Sequence, residues 1–237
     1  VTDAEARRFW DRRAEEDAFF AVDDRLELGN PNVERFWSEG ARDLETLLEI
    51  GGATIGPSDA IVEIGCGIGR LTRVIAERAG SVRAIDVSAR MLELAREHNP
   101  GLDNVDWLLG DGTSLAGVES GSADGVLSHV VFQHIPDPAI TLDYVREMGR
   151  VLRSGGWAVF GVSNDPTVHR PRGRAGRLRT VLRARLRPDD RWHEKPHWMG
   201  SHVELPALRA AAADGGMEVE QVSGEGTQYC VVRTRRA

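Results

Sequence analysis

One string constrains this chain more than any other: Val62-Glu63-Ile64-Gly65-Cys66-Gly67-Ile68-Gly69-Arg70. A short apolar run, Ala60–Ile64, feeds three glycines at alternate positions. An amphipathic stretch from Ile68 to Ala79 follows and is closed by Gly80. Strand, tight turn and helix in that order make up the repeating unit of open α/β sheets. Glycine lets the backbone turn there and come close to a ligand. The start of the helix offers free N–H groups to whatever sits on the turn. The GxGxxG spacing that holds a dinucleotide's pyrophosphate is not present. The glycines run GxGxG, and Glu63 stands two residues before the first of them. An acid aimed at this turn opposes a pyrophosphate and favours an ammonium group.

The alternation continues down the chain. Val82–Val87 reads as a second strand, and Ala89–Glu97 as a helix stopped by Asn99-Pro100. Val105–Leu109 and Asp124–Val131 read as the third and fourth strands. Pro138–Leu152 reads as a helix ended by Ser154-Gly155-Gly156, and Trp157–Val162 as a fifth strand. Strands alternating with helices predict a parallel sheet covered on both faces, with right-handed crossovers. Upstream, residues 3–22 carry a stripe of Phe9, Trp10, Ala14, Phe19 and Phe20 and read as a helix. Asn30 and Pro31 have the chemistry of an N-cap and a first helical residue for a second helix reaching Ile50, ended by Gly51-Gly52. Downstream, Leu205–Asp214 reads as a helix, and Met217–Val222 and Gln228–Thr234 as two closing strands.

Acidic residues fall at the ends of these strands. Asp86 ends the second strand, where a carboxylate can accept both hydroxyl protons of a ribose. Gly110-Asp111-Gly112 ends the third, where Asp111 can accept from an adenine amino group. Ligands of open α/β sheets bind at just these strand ends.

At this point the chain resembles the class I S-adenosylmethionine-dependent methyltransferases. The resemblance runs over residues 44–163 and rests on VEIGCGIGR, AIDVS, GDGTSL, SHVVFQHIPDP and VLRSGGWAVFGV in that order. It implies a Rossmann-like seven-stranded sheet, six strands parallel and one reversed, and a single methyltransferase domain. Residues 1–50 would form an N-terminal helical cap, 51–164 the cofactor-binding core, 165–200 an inserted lid, and 201–237 the closing helix and strands. The implied cofactor is S-adenosylmethionine, released as S-adenosylhomocysteine. By the same resemblance Gly65, Cys66, Gly67 and Gly69 would line its methionine part, and Glu63 would reach its ammonium group. Asp86 would hold the ribose, and Asp111 with Gly112 the adenine edge. Val87 or Met91 would pack on the adenine, while His129 and Val130 would lie near the sulfonium. Cys66 otherwise reads as a small buried side chain without a base beside it in sequence.

Two histidines flank the loop after the fourth strand. His129 and His134 have the chemistry of a base that takes a proton from an attacking hydroxyl or amine, or of side chains that shape the loop. Methyl transfer from a sulfonium needs chiefly alignment. The expected acceptor is a small molecule methylated on O or N, with anionic molecules and natural products the first classes to consider. Trp10, His134, His193, His197, Trp198 and Tyr229 are the candidate acceptor-binding residues. The His193 and His197 pair has Pro196 between, so no metal site is expected.

Charge bears on the rival readings. The net charge is −7, yet Pro166–Trp198 holds nine Arg and Lys195 against three acids, a local +7 that leaves −14 for the rest. This stretch reads as a solvated helix near Ala175–Leu186, as a clamp for an anionic acceptor, or as an RNA face. An RNA-modifying methyltransferase is therefore one alternative, although the acidic remainder repels phosphate and makes nucleic acid an unexpected partner. A nicotinamide-dependent oxidoreductase and a non-catalytic cofactor-binding protein are the others. The 237 residues, 41% hydrophobic, suffice for a core. They contain no apolar run of about 20 residues to span a membrane and no apolar leader. Cys66 and Cys230 form no disulfide framework, so a reducing cytoplasm is the expected location. The oligomeric state is not legible in these features.

Overall fold

The computed structural model describes residues 3–169 and 196–237. The Arg-rich stretch from Arg170 to Arg191, the helix expected at Ala175–Leu186, Trp192 and His193 lie outside the described residues. Helices α1 (Asp3–Val22) and α2 (Val33–Gly51) precede the alternating core. That core runs β1 (Ala60–Ile64), α3 (Thr72–Ala76), β2 (Ser81–Asp86), α4 (Ala89–His98), β3 (Val105–Leu109), β4 (Ala123–Ser128), a 3-10 turn (Phe132–His134), α5 (Pro138–Val151) and β5 (Leu152–Val162). A single turn, α6 (Pro196–Met199), leads to α7 (Leu205–Asp214), β6 (Met217–Ser223) and β7 (Cys230–Arg236).

The sheet has seven strands in the order β3-β2-β1-β4-β5-β7-β6. Strands β1 to β5 pair in parallel, and β7 runs antiparallel to both β5 and β6. The expected sheet with one reversed strand is the observed one. Strand order reverses between β1 and β4, which opens a crevice at their C-terminal ends. Apolar side chains fill both faces. Val126, Phe160, Met148 and Leu208 belong to the core under α5 and α7. Leu44, Ile75, Ile61 and Val159 belong to the core under α2 and α3. A third cluster, with Ala14, Phe36, Ile68 and Met91, joins the N-terminal helices to the glycine turn and α4. No helix among the described residues is long and apolar enough to cross a membrane.

Several boundaries differ from expectation, each for a local reason. α1 is broken at Asp17, whose φ of −165° is not helical. Its carboxylate accepts from Phe20 N at 3.0 Å and Gly29 N at 2.7 Å, so it caps the final turn of α1. α2 is capped by Asn32 rather than Asn30. The Asn32 side chain accepts from Arg35 N at 2.9 Å, whereas Asn30 is held in a turn by Glu27. α3 starts only at Thr72, because Gly67 and Gly69 are left-handed, with φ of 53° and 81°. β4 stops at Ser128, ahead of Val130 with φ 56°. β5 begins at Leu152, which pairs with Ala123 before an irregularity in the ladder.

Candidate functional site

The crevice between β1 and β4 deepens into a cavity of about 160 Å³. Gly65 and Gly67 form its floor, Asp86, Val87 and Met91 one side, Gly110 and Gly112 the next, and His129, Val130 and Val131 the other. Gly65 accepts no side chain: a Cβ there would sit 2.3 Å from Val131. A Cβ on Gly67 would sit 2.7 Å from Val22 of α1. Gly69 serves packing instead, pressed against Asn99 and Trp107, and does not line the cavity. Cys66 is buried beside the wall, and burial, followed by the charges of Asp86 and Glu63, pushes its thiol well above the usual range. That thiol is neutral and inert.

Two acids stand at the turn, one buried and one half-buried. Glu63 lies behind the wall, 5% exposed, and accepts the Thr72 hydroxyl at 2.5 Å. Burial pushes it up to about 7, against the pull of the Thr72 hydrogen bond. Asp86 accepts from Gly67 N at 2.8 Å and from Ser88 N at 2.9 Å. Burial holds it at about 6 despite those two donors. Among the described residues no Arg, Lys or His forms an ion pair with either acid. Each carboxylate has about four acceptor sites, so capacity remains for a ligand. A cation placed here would relieve the cost of burying two like charges.

Asp111 is spent largely on its own turn. Oδ1 accepts from Thr113 N, Ser114 N and the Thr113 hydroxyl, and Oδ2 from the Ser114 hydroxyl at 2.5 Å. Burial raises this carboxyl, but the hydrogen bonds outweigh it and hold it below the usual range. Gly110 and Gly112 reach the cavity wall and Asp111 does not.

The opposite end of the cavity is aromatic. Trp10, His134 and His197 line it. Trp10 meets His134 edge-on at 5.7 Å, and Trp198 stands behind both, 5.4 Å from the His134 ring. His197 packs on Phe9 at 5.3 Å. His134 Nδ1 lies 3.1 Å from the carbonyl oxygen of Trp198. A carbonyl only accepts, so Nδ1 carries the proton and Nε2 keeps a free lone pair. Burial lowers the His134 pKa, with the Trp198 carbonyl opposing it in part. Burial likewise pushes His129 down to about 4. Both imidazoles are neutral at neutral pH. Tyr229 is 67% exposed and lies outside the cavity wall, because it follows the turn into β7. His193 is outside the described residues.

Sequence reasoning missed the residues that fasten the cap. Arg70, next after the last glycine, is 3% exposed and pairs with Asp43 and, at 3.4 Å, with Asp23. Arg25 bridges the same two acids at 2.7 Å each. Asp11 of α1 accepts from the Ser88 hydroxyl at 2.7 Å, and Arg7 donates to Gly110 O at 3.3 Å. Ala21 and Val22 then close the cavity from above the glycines. The signal available was Arg70 itself, a charged residue in a turn whose neighbours are all buried.

Residues 62–160 match the methyltransferase domain family. The chain is similar to the ubiquinone biosynthesis O-methyltransferase of Thiobacillus denitrificans, 27% identical over 69% of this chain and 66% of that protein. It is 28% identical to the enzyme of the same name from Xanthomonas axonopodis pv. citri, over 75% of this chain and 70% of that one. The chain thus spans about two thirds of the length of these relatives. Among solved structures, an S-adenosylmethionine-dependent methyltransferase from Mesorhizobium loti superposes with a TM-score of 0.62 at 20% identity, over 84% of this chain and 99% of that one. A geranyl diphosphate methyltransferase in complex with GPP and sinefungin does so with a TM-score of 0.63 at 18% identity, over 99% of both chains. At such identities the likeness to solved structures shows the fold.

Proposed function

The chain belongs to the class I S-adenosylmethionine-dependent methyltransferases, and we propose that it methylates an oxygen of a small aromatic acceptor. The observation that carries the cofactor half is the pair of acids at a glycine floor, Glu63 buried behind it and Asp86 half-buried in the cavity wall, without a cationic partner among the described residues. These residues fit a ligand with an ammonium group and ribose hydroxyls. When bound, S-adenosylmethionine supplies a methyl group on a sulfonium whose leaving group is already activated. Asp86 accepts hydroxyl protons at the end of β2, Glu63 attracts positive charge beneath Gly65, and Val87 and Met91 cover an apolar ring. Gly112, rather than the Asp111 carboxylate, borders the far edge.

The acceptor half rests on the aromatic end of the cavity. Its described wall holds no Arg or Lys, and its histidines are neutral. Such a surface stacks on a planar ring and gives an anion little to pair with. His134 Nε2 has the free lone pair to take a hydroxyl proton as the oxygen attacks, and His129 stands across the cavity as the second candidate. Trp10, Ala21 and Val22 of α1 wall the cavity on the side of the N-terminal helices. The relatives named for O-methylation in ubiquinone biosynthesis support an oxygen acceptor. A panel of phenols, aromatic carboxylic acids and tRNA, assayed for S-adenosylhomocysteine release, tests this reading. Turnover of phenols supports it, and turnover confined to the carboxylic acids or tRNA overturns it.

A further inference from the structure

A further histidine, His169, stands outside the cavity and has no part in the account above. His169 Nδ1 is hydrogen-bonded to the carbonyl oxygen of Met199, and its Nε2 lies 2.6 Å from Ser163 Oγ. A carbonyl only accepts, so Nδ1 donates, and Nε2 accepts the Ser163 hydroxyl proton. Ser163 is 1% exposed and directly follows β5, and its carbonyl accepts from Val203 N at 2.8 Å. It is therefore anchored to the sheet.

Met199 is the neighbour of Trp198, whose carbonyl holds His134. Both carbonyls belong to the last turn of α6, where helical carbonyls lack partners within the helix. His134 and His169 satisfy two consecutive ones, from the β4 and β5 sides of the crevice. The turn is pinned further along. Gly200, at φ 58°, passes so close to Gln133 that a Cβ would lie 1.7 Å from its carbonyl oxygen. Ser201 Oγ donates to Ile135 O at 2.7 Å. The carbonyl that sets the tautomer of His134 is thus fixed by a chain of contacts running back to β5.

We propose that His169 is a positioning residue for His134. Held by Ser163, it fixes the Met199–Trp198 turn so that the Trp198 carbonyl keeps the His134 proton on Nδ1 and leaves Nε2 bare toward the cavity. The proposal rests on the reading of His134 as a proton acceptor.

The test is 15N NMR of the full chain labelled at histidine, with His134 assigned by its loss in His134→Gln. Wild type is expected to show His134 as one tautomer, with a protonated Nδ1. In His169→Ala the two tautomers should exchange and their signals average. His169→Asn, whose amide nitrogen replaces Nδ1, should restore the wild-type pattern. If His169→Ala fails to fold, Ser163→Ala, which removes only the donor to Nε2, is read in the same way. A His134 tautomer unchanged in the variant that folds overturns the proposal, as does a wild-type His134 protonated on Nε2. Calorimetry with S-adenosylhomocysteine runs alongside. Its failure with wild type contradicts the function proposed above and leaves the tautomer result to be judged by itself. With an acceptor in hand, His169→Ala should lower kcat by up to about a hundredfold with KM little changed.

Discussion

At the scale of single residues the proposed cofactor site rests on Glu63 and Asp86. On the proposed function, loss of the Asp86 carboxylate would remove a charge-assisted contact to a ribose. Asp86→Ala should weaken S-adenosylhomocysteine binding by about 1.5–3 kcal/mol, or roughly ten- to a hundredfold, by calorimetry. The raised pKa values of both acids give a pH dependence with a definite sign. Glu63 is held at about 7 and Asp86 at about 6, so both are increasingly neutral below those values. A ligand ammonium favours their charged forms. Affinity for S-adenosylhomocysteine should therefore climb as pH rises toward 7 and level off above it, and Glu63→Gln should flatten the upper part of that rise. The free protein behaves oppositely. Between the ordinary carboxylate values and 6–7 its folded state binds more protons than the unfolded chain, so the stability these two groups contribute falls as pH rises through that window. Both acids were legible in the sequence, because strand-end position and spacing from the glycines sufficed to find them. Asp111 was legible by position only. Its engagement by Thr113 and Ser114 is a local hydrogen-bonding choice that spacing does not reveal.

Elements were legible where hydrophobic period and glycine agreed. The strands β1, β2 and β3 and the helices α4 and α5 were found nearly in register, because apolar runs or stripes and sharp stops coincide there. α3 was overestimated, since the left-handed glycines delay the helix that the apolar period suggested. The break in α1 was not seen, because Asp17 looks like any other exposed helical acid until its carboxylate turns back to cap Phe20 N. That break directs Ala21 and Val22 onto the cavity. The cap is then tied down by Arg70. Arg70→Ala would leave Asp23 and Asp43 sharing Arg25 alone. The loss in urea unfolding is expected near the lower end of about 3–5 kcal/mol, because Arg25 still pairs with both. Arg25→Ala, whose side chain is 46% exposed, should cost less than about 1 kcal/mol. Equal losses for the two would contradict the burial argument.

For the whole molecule, the sequence of strand, glycine turn and helix determines where a ligand can bind before any side chain is placed. The sheet order reverses between β1 and β4, and the cavity lies at that reversal. The architecture was legible because five short motifs fall in order at strand ends. The aromatic end was legible only in part. Trp10, His134, His197 and Trp198 come from three separated segments whose meeting depends on how α1 and the α6 turn pack against the β4 loop. Tyr229 stands away from them, since proximity to the last strand in sequence is not proximity to the crevice. The central claim is that two acids at a glycine floor, Glu63 buried and Asp86 half-buried, with no ion-pair partner among the described residues, select a cationic adenosyl ligand over a pyrophosphate one. Calorimetric titration with S-adenosylhomocysteine, beside NADH under the same conditions, tests it most directly. The account predicts saturable micromolar binding of S-adenosylhomocysteine and none of NADH; saturation by NADH with no heat from S-adenosylhomocysteine would contradict it.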